Sequence, residues 1–211
     1  MLITRPNHDI TTDYLFFWSE ELIKQAQKIG LKVVDLSKKR ANRKEFISVL
    51  KKVKMKFIFL NGHGDESSVT GYDNEPLIQT NNNEDLLYAK VVYARSCKSA
   101  KLLGTKSIVK GCIAYLGYDD DFVFMIESDK ISRPLEDKTA KLFLDPSNYL
   151  VLSLFKGHTV SEANFRSREQ FRNNILKLMI SSASKDDKDL IPFLVRDYLH
   201  QVCLGDQKAT I

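Results

Sequence analysis

Short apolar runs alternate with stretches whose apolar residues fall three and four apart, and this alternation organises the first half of the chain. Leu2–Thr4 predicts a short strand that stops before Pro6, and Thr11-Thr12-Asp13 offers residues that start helices. Leu15, Trp18, Leu22, Ile23 and Ala26 keep helical spacing as far as Gly30, and Lys32–Leu36 predicts a second strand. Asn42–Val53 predicts a helix with Phe46, Val49, Leu50 and Val53 on one face. Phe57–Leu60 is apolar at every position, as in a strand covered on both faces. Two helices between three strands are the sign of a parallel α/β sheet.

Beyond a loop at Asn61–Ser68, Val69–Ile78 predicts a hairpin with turn residues Gly71, Asp73 and Asn74. Lys90–Ala94 is the next buried strand and runs into Arg95-Ser96-Cys97. A helix is expected over Ser99–Val109, a strand over Gly111–Tyr118, and a short apolar run at Phe122–Ile126. Tyr149–Phe155 predicts a helix. Thr159 and Glu162 have the spacing of a capping box, so the next helix should run from Val160 to Ile180. Ser181–Asp189 is a polar break, and Leu190–Val202 predicts a closing helix with an apolar stripe. No repeat and no linker divides the chain, so residues 1–211 are expected to form one domain.

Composition narrows the class. The 211 residues are 43% hydrophobic, which suits a folded globular chain rather than a disordered one. No window of about 18 apolar residues predicts a membrane span, and the first residues lack the basic and apolar regions of a signal peptide. Three cysteines, an odd number, suit a reducing compartment such as the cytoplasm, where a special cysteine serves chemistry. The net charge of +5 owes much to the basic stretch from Lys38 to Lys56. With no aromatic stacking pattern interleaved, that stretch reads as a solvated face rather than a nucleic-acid footprint.

The chemistry-bearing residues follow the two buried runs. Phe57–Leu60 leads to Asn61-Gly62-His63-Gly64, and Val91–Ala94 leads to Arg95-Ser96-Cys97. In an open α/β sheet, ligands bind beyond the carboxyl ends of the strands. Were these strands parallel neighbours, imidazole and thiol would share one sheet edge as base and nucleophile. Gly64 leaves room for a substrate backbone, and its amide with that of Cys97 would serve a developing oxyanion. A helix starting just after Cys97 would favour the thiolate.

An apolar block before His-Gly, and a second before a small residue and Cys, resembles the caspase-like cysteine peptidases. That clan includes caspases, legumains, clostripain, gingipains and the CHAT-type proteases. The run Asn61-Gly62-His63-Gly64-Asp65-Glu66-Ser67 is most similar to the gingipain and CHAT branches, and Leu152–Ala163 is similar to their segment entering a late helix. The resemblance covers roughly residues 55–180. It implies a caspase-like three-layer sandwich, α/β, with a mostly parallel central sheet flanked by helices. It implies His63 as base, Cys97 as nucleophile, the Gly64 and Cys97 amides as oxyanion hole, a protein or peptide substrate, an activating partner protein, and no cofactor. Lys98 after Cys97 departs from the caspase signature, so aspartate specificity is not implied.

In this clan, loops after the first strand and after the strand beside the cysteine help line the pocket for the residue before the cut. Here they carry Asp9, Asp13, Asp119, Asp120 and Asp121, which suggests cleavage after Arg or Lys; Asp65 and Glu66, beside His63, would act similarly or orient the imidazole. The plain alternative is that these acids are helix caps and a solvated turn. Nothing in the spacing of His and Cys supports a metal site. Gly104-Thr105-Lys106-Ser107 lacks the first glycine of a phosphate-binding loop. His8, His158 and His200 have no evident partners, and Cys112 and Cys203 sit in apolar surroundings. The competing functions are an inactive caspase-like module that binds a partner, and a flavodoxin-like binding domain. For the latter, Arg5-Pro6-Asn7-His8-Asp9 is a poor phosphate loop.

Overall fold

A computed structural model describes residues 1–211. In chain order the elements are β1 (Leu2–Arg5), α1 (Ile10–Trp18), α2 (Glu20–Lys28), β2 (Val34–Ser37), α3 (Arg43–Lys52), β3 (Phe57–Asn61), β4 (Ser68–Thr70), β5 (Pro76–Gln79) and β6 (Val91–Arg95). They continue as α4 (Thr105–Val109), β7 (Ala114–Tyr118), α5 (Lys138–Phe155), α6 (Val160–Leu178), α7 (Lys185–Asp189), α8 (Ile191–His200) and β8 (Gln201–Gly205). Six strands form one sheet in the order β2-β1-β3-β6-β7-β8. All neighbours run parallel except β7 and β8. Strands β4 and β5 form a separate antiparallel hairpin.

Side chains leave a strand to alternate faces, and each face of this sheet carries its own core. On one face Ile3, Phe57, Phe59, Val91, Tyr93 and Leu116 pack against α1, α2, α5 and α6. On the other, Leu2, Ile58, Leu60, Val92, Ala94 and Tyr115 pack against α3, α4 and the β4–β5 hairpin. The result is an α/β fold in three layers. No helix is long and apolar enough to cross a membrane.

Several elements differ from the sequence expectation, each for a local reason. The first helix breaks at Ser19, whose hydroxyl donates to the Leu15 carbonyl at 2.7 Å. That bond competes with the backbone ladder. Helix α5 begins at Lys138, well before Tyr149, because Asp137 caps it through the Ala140 amide at 2.8 Å. Pro146 inside α5 is what disguises it. The expected helix after Cys97 is not regular: Lys98 has φ 54°, Ala100–Gly104 forms a π-turn, and only Thr105–Val109 is α-helical. Phe122–Ile126 joins no sheet. The closing helix ends at His200, and Gln201–Gly205 is instead the antiparallel edge strand. There Val202 and Leu204 pack on one core and Cys203 on the other, an alternation too short to tell from a helical stripe.

Candidate active site

Strands β3 and β6 are parallel neighbours, with Asn61 opposite Arg95. His63 and Cys97 therefore each stand two residues beyond the same rung. The two loops touch: a Cβ on Gly64 would lie 3.0 Å from the Ser96 side chain and 2.9 Å from the Ser68 carbonyl oxygen. Gly62 is tighter still, since a Cβ there would fall 2.1 Å from the Thr70 carbonyl oxygen. The glycines flanking His63 are thus demanded by the packing of the loop on the β4 hairpin. Neither the Gly64 amide nor the Cys97 amide donates a hydrogen bond within the protein. Both oxyanion-hole candidates are free donors at the edge where the loops meet.

His63 is held from the α1 side. Its Nε2 lies 2.6 Å from Asp9 Oδ2. Asp9 Oδ1 meanwhile accepts the Thr12 amide at 2.7 Å and caps α1. Burial alone would raise the Asp9 carboxyl; the Thr12 amide and the His63 ring outweigh it and hold it below the usual carboxylate range. An ionised Asp9 accepts Nε2–H, so neutral His63 keeps its lone pair on Nδ1.

Cys97 makes no hydrogen bond to His63. Its Sγ donates to the Phe122 carbonyl at 3.5 Å. Burial pushes the thiol up to about 11, with the Asp121 carboxylate adding to the rise. The expected helix-start stabilisation of a thiolate is therefore absent, because no regular helix begins at Cys97. The Phe122 segment is itself pinned by Asp197 of α8, whose Oδ1 accepts the Val123 amide at 3.0 Å. Burial holds the Asp197 carboxyl well above its usual value, and its Oδ2 has no partner.

That burial makes a prediction. A carboxyl whose folded pKa is raised stabilises the fold fully only below its unfolded pKa, and the benefit is lost as pH rises through the folded value. Asp197→Asn should therefore equal or exceed the wild type in urea stability at pH 7, with the difference narrowing or reversing as pH falls to the ordinary carboxylate range. Asp197→Ala should cost about 1–3 kcal/mol by leaving the Val123 amide without its acceptor.

The remaining acids of the sequence expectation are already engaged. Asp119 lies 2.8 Å from His200 Nδ1, Asp120 lies 2.8 Å from Arg196, and Asp121 pairs with Lys98 at 3.2 Å and Arg196 at 3.2 Å. Asp65 Oδ1 accepts from the Ser67 amide and hydroxyl at 2.7 and 2.8 Å. Glu66 pairs with Lys101 at 2.6 Å. Asp13 forms no salt bridge; it shares an open pocket of about 280 Å³ with Asn7, His8, Asp9, Ile10 and Ile131. The structure thus brings Asp9 and Asp13 together near His63, whereas Asp119–Asp121 form a cross-braced turn on the far side of Cys97.

Two residues at this edge went unassigned in the sequence. His8 lies beside Asp9, its Nε2 3.5 Å from Asp9 Oδ2. Arg95 is fully buried and joins the elements behind the site. Its Nε donates to Asn61 Oδ1 at 2.9 Å, and its Nη1 donates to Ser147 Oγ at 3.0 Å and Asn148 Oδ1 at 2.9 Å. Its Nη2 donates to the Leu15 carbonyl at 3.4 Å. No carboxylate neutralises it, and burial pushes it down to about 10. A lone charge ending an otherwise apolar strand was the available signal. Compared with protein-family models and with curated proteins, the sequence matches none.

Proposed function

We propose that the chain is a cysteine endopeptidase of caspase-like type, with His63 as base and Cys97 as nucleophile. The observation that carries this reading is the pairing of β3 with β6, which sets His63 and Cys97 two residues beyond one rung beside two free amides. In the reaction Cys97 leaves the Phe122 carbonyl and its proton passes to His63 Nδ1. Sγ then bonds to the scissile carbonyl carbon, and the oxygen takes the negative charge between the Gly64 and Cys97 amides. His63 returns the proton to the leaving amine, and water, with His63 again as base, releases the acyl group. Asp9 is a positioning residue that fixes the tautomer. A protonated thiol turned onto Phe122 fits an enzyme of low resting activity that a substrate or partner protein must engage.

For the residue before the cut, the pocket at Asn7–Asp13 favours a basic side chain, with Asp9 and Asp13 as its carboxylates. A positional-scanning peptide library with wild type and Cys97→Ala tests both points. Cleavage after Arg or Lys, lost in the variant, is the expected result. Cleavage after Asp would discard the pocket and keep the dyad. The rival reading, an inactive module that binds a partner, draws on the same thiol orientation, and cleavage of no peptide would favour it.

Asp9→Asn separates capping from catalysis. Asn caps helices as well as Asp, so α1 and the melting temperature should be retained. With Oδ1 kept on the Thr12 amide, Asn turns its NH2 toward His63 and imposes the wrong tautomer. The expected loss in kcat/KM is at least about 100-fold.

A further inference from the structure

Three side chains converge beside the dyad in a way that orienting His63 does not require. Asp9 Oδ2 lies 2.6 Å from His63 Nε2 and 3.5 Å from His8 Nε2. One ligating atom from each of the three lies within 4.8 Å of the others. The His8 side chain is only 9% exposed, yet it is poorly satisfied. Its Nδ1 has no partner, and its Nε2 has, besides Asp9, a 3.3 Å contact with Asn74 Oδ1. Its ring is wedged edge-on between His63 and Tyr72, at 6.0 and 5.5 Å between centroids. A buried imidazole held this way is fixed in place with a nitrogen facing the shared carboxylate. The open pocket that His8 and Asp9 line gives a small ion and its water an entrance.

We propose that His8, Asp9 and His63 form a binding site for a divalent ion of the zinc class, and that the ion holds the dyad off. Two imidazoles and one carboxylate suit zinc over magnesium or calcium, and water completes a tetrahedron. Zinc–ligand distances of about 2.0–2.1 Å put ligand atoms about 3.3 Å apart. The His8–Asp9 separation of 3.5 Å already matches, and the His63–Asp9 pair of 2.6 Å must open slightly. Coordination at His63 Nε2 displaces its hydrogen to Nδ1, so the ring keeps its proton and loses the lone pair that would take the Cys97 proton. Inhibition rests on the reading of His63 as base; the binding site does not.

The test is titration of the full chain with Zn²⁺ against a chelating indicator, together with absorption spectra of the Co²⁺ complex. One ion should bind per chain. His8→Ala and Asp9→Asn should each weaken it at least about 100-fold, and Cys97→Ala should leave it unchanged. Should His8→Ala unfold, His8→Gln keeps a polar side chain of similar reach. Co²⁺ in the wild type should show tetrahedral bands with no thiolate charge-transfer band. Binding insensitive to His8, lost in Cys97→Ala, or carrying a thiolate band overturns the site. In the peptidase assay, zinc should stop the wild type and spare His8→Ala, each read as the fraction of its own zinc-free rate that remains. Equal inhibition of the two overturns the regulatory half. A wild type without peptidase activity would discard the base reading, and the titration would still decide the site.

Discussion

Cys97→Ala is expected to abolish peptide hydrolysis, by a factor of at least about 1,000, while the fold survives. The two halves of this expectation come from different observations. The thiol donates to the Phe122 carbonyl at 3.5 Å and lies beside the Asp121 carboxylate, which already pairs with Lys98 and Arg196, so its removal orphans no strongly held group. Its position two residues beyond the β6 rung, beside the free Gly64 and Cys97 amides, has no evident structural use. Residual hydrolysis should come only from the amides and from substrate binding, neither of which supplies a nucleophile. The comparison that isolates the effect is kcat/KM for wild type and variant on one fluorogenic peptide, with matched denaturant midpoints. A variant that unfolds at the same urea concentration but no longer cleaves places Cys97 in the chemistry. A variant that cleaves at the wild-type rate removes it.

The second large effect is at Arg95. Arg95→Ala should destabilise the protein by about 3–5 kcal/mol. It opens a cavity and strips Asn61, Asn148 and the Leu15 carbonyl of their donor at once. Arg95→Met fills most of the space and removes a buried charge that lacks a counter-ion, so much of that stability should return. Activity should not return with it. Asn61 roots the His63 loop on β3 and also donates to the Thr4 carbonyl at 2.9 Å. Arg95 itself roots the Cys97 loop, and Leu15 lies on the helix that Asp9 caps. With the guanidinium gone, three elements that orient base and nucleophile lose their common tie. Arg95→Met should lower kcat more than it raises KM, at a temperature where the variant is folded. A purely structural arginine would move the denaturant midpoint alone.

The strands that carry the site were legible because their burial is complete. Phe57–Leu60 and Val91–Ala94 are apolar without interruption, and only a central strand is covered on both faces. The Thr159 capping box was legible too, since Glu162 returns the bond to the Thr159 amide at 2.9 Å. Other features depend on contacts between residues far apart in the chain. Asp9 reads as a helix cap, which it is; that its second oxygen reaches His63, 54 residues on, follows from the packing of α1 beside β3. Nothing local marks Asp119–Asp121 as neutralised, because Arg196 and His200 arrive on α8. The irregular turn after Cys97 escaped because Ser99–Val109 has helical spacing, and only Lys98 at φ 54° prevents a helix from starting at the cysteine. β8 escaped because five residues are too few to separate a period of 2 from one of 3.6.

The most direct test of a His63–Cys97 dyad is to treat the protein with a peptide bearing a thiol-reactive ketone after a basic residue, and to map the modified residue by mass spectrometry. All three cysteines are buried enough to be poor nucleophiles alone: Cys97 and Cys203 are pushed up to about 11 and Cys112 to about 12. Simple thiol chemistry would therefore label them slowly and alike. The peptide should modify Cys97 alone, and His63→Ala should slow this strongly while labelling of unfolded protein is unchanged. Equal, slow modification of Cys97, Cys112 and Cys203, indifferent to His63, would contradict it.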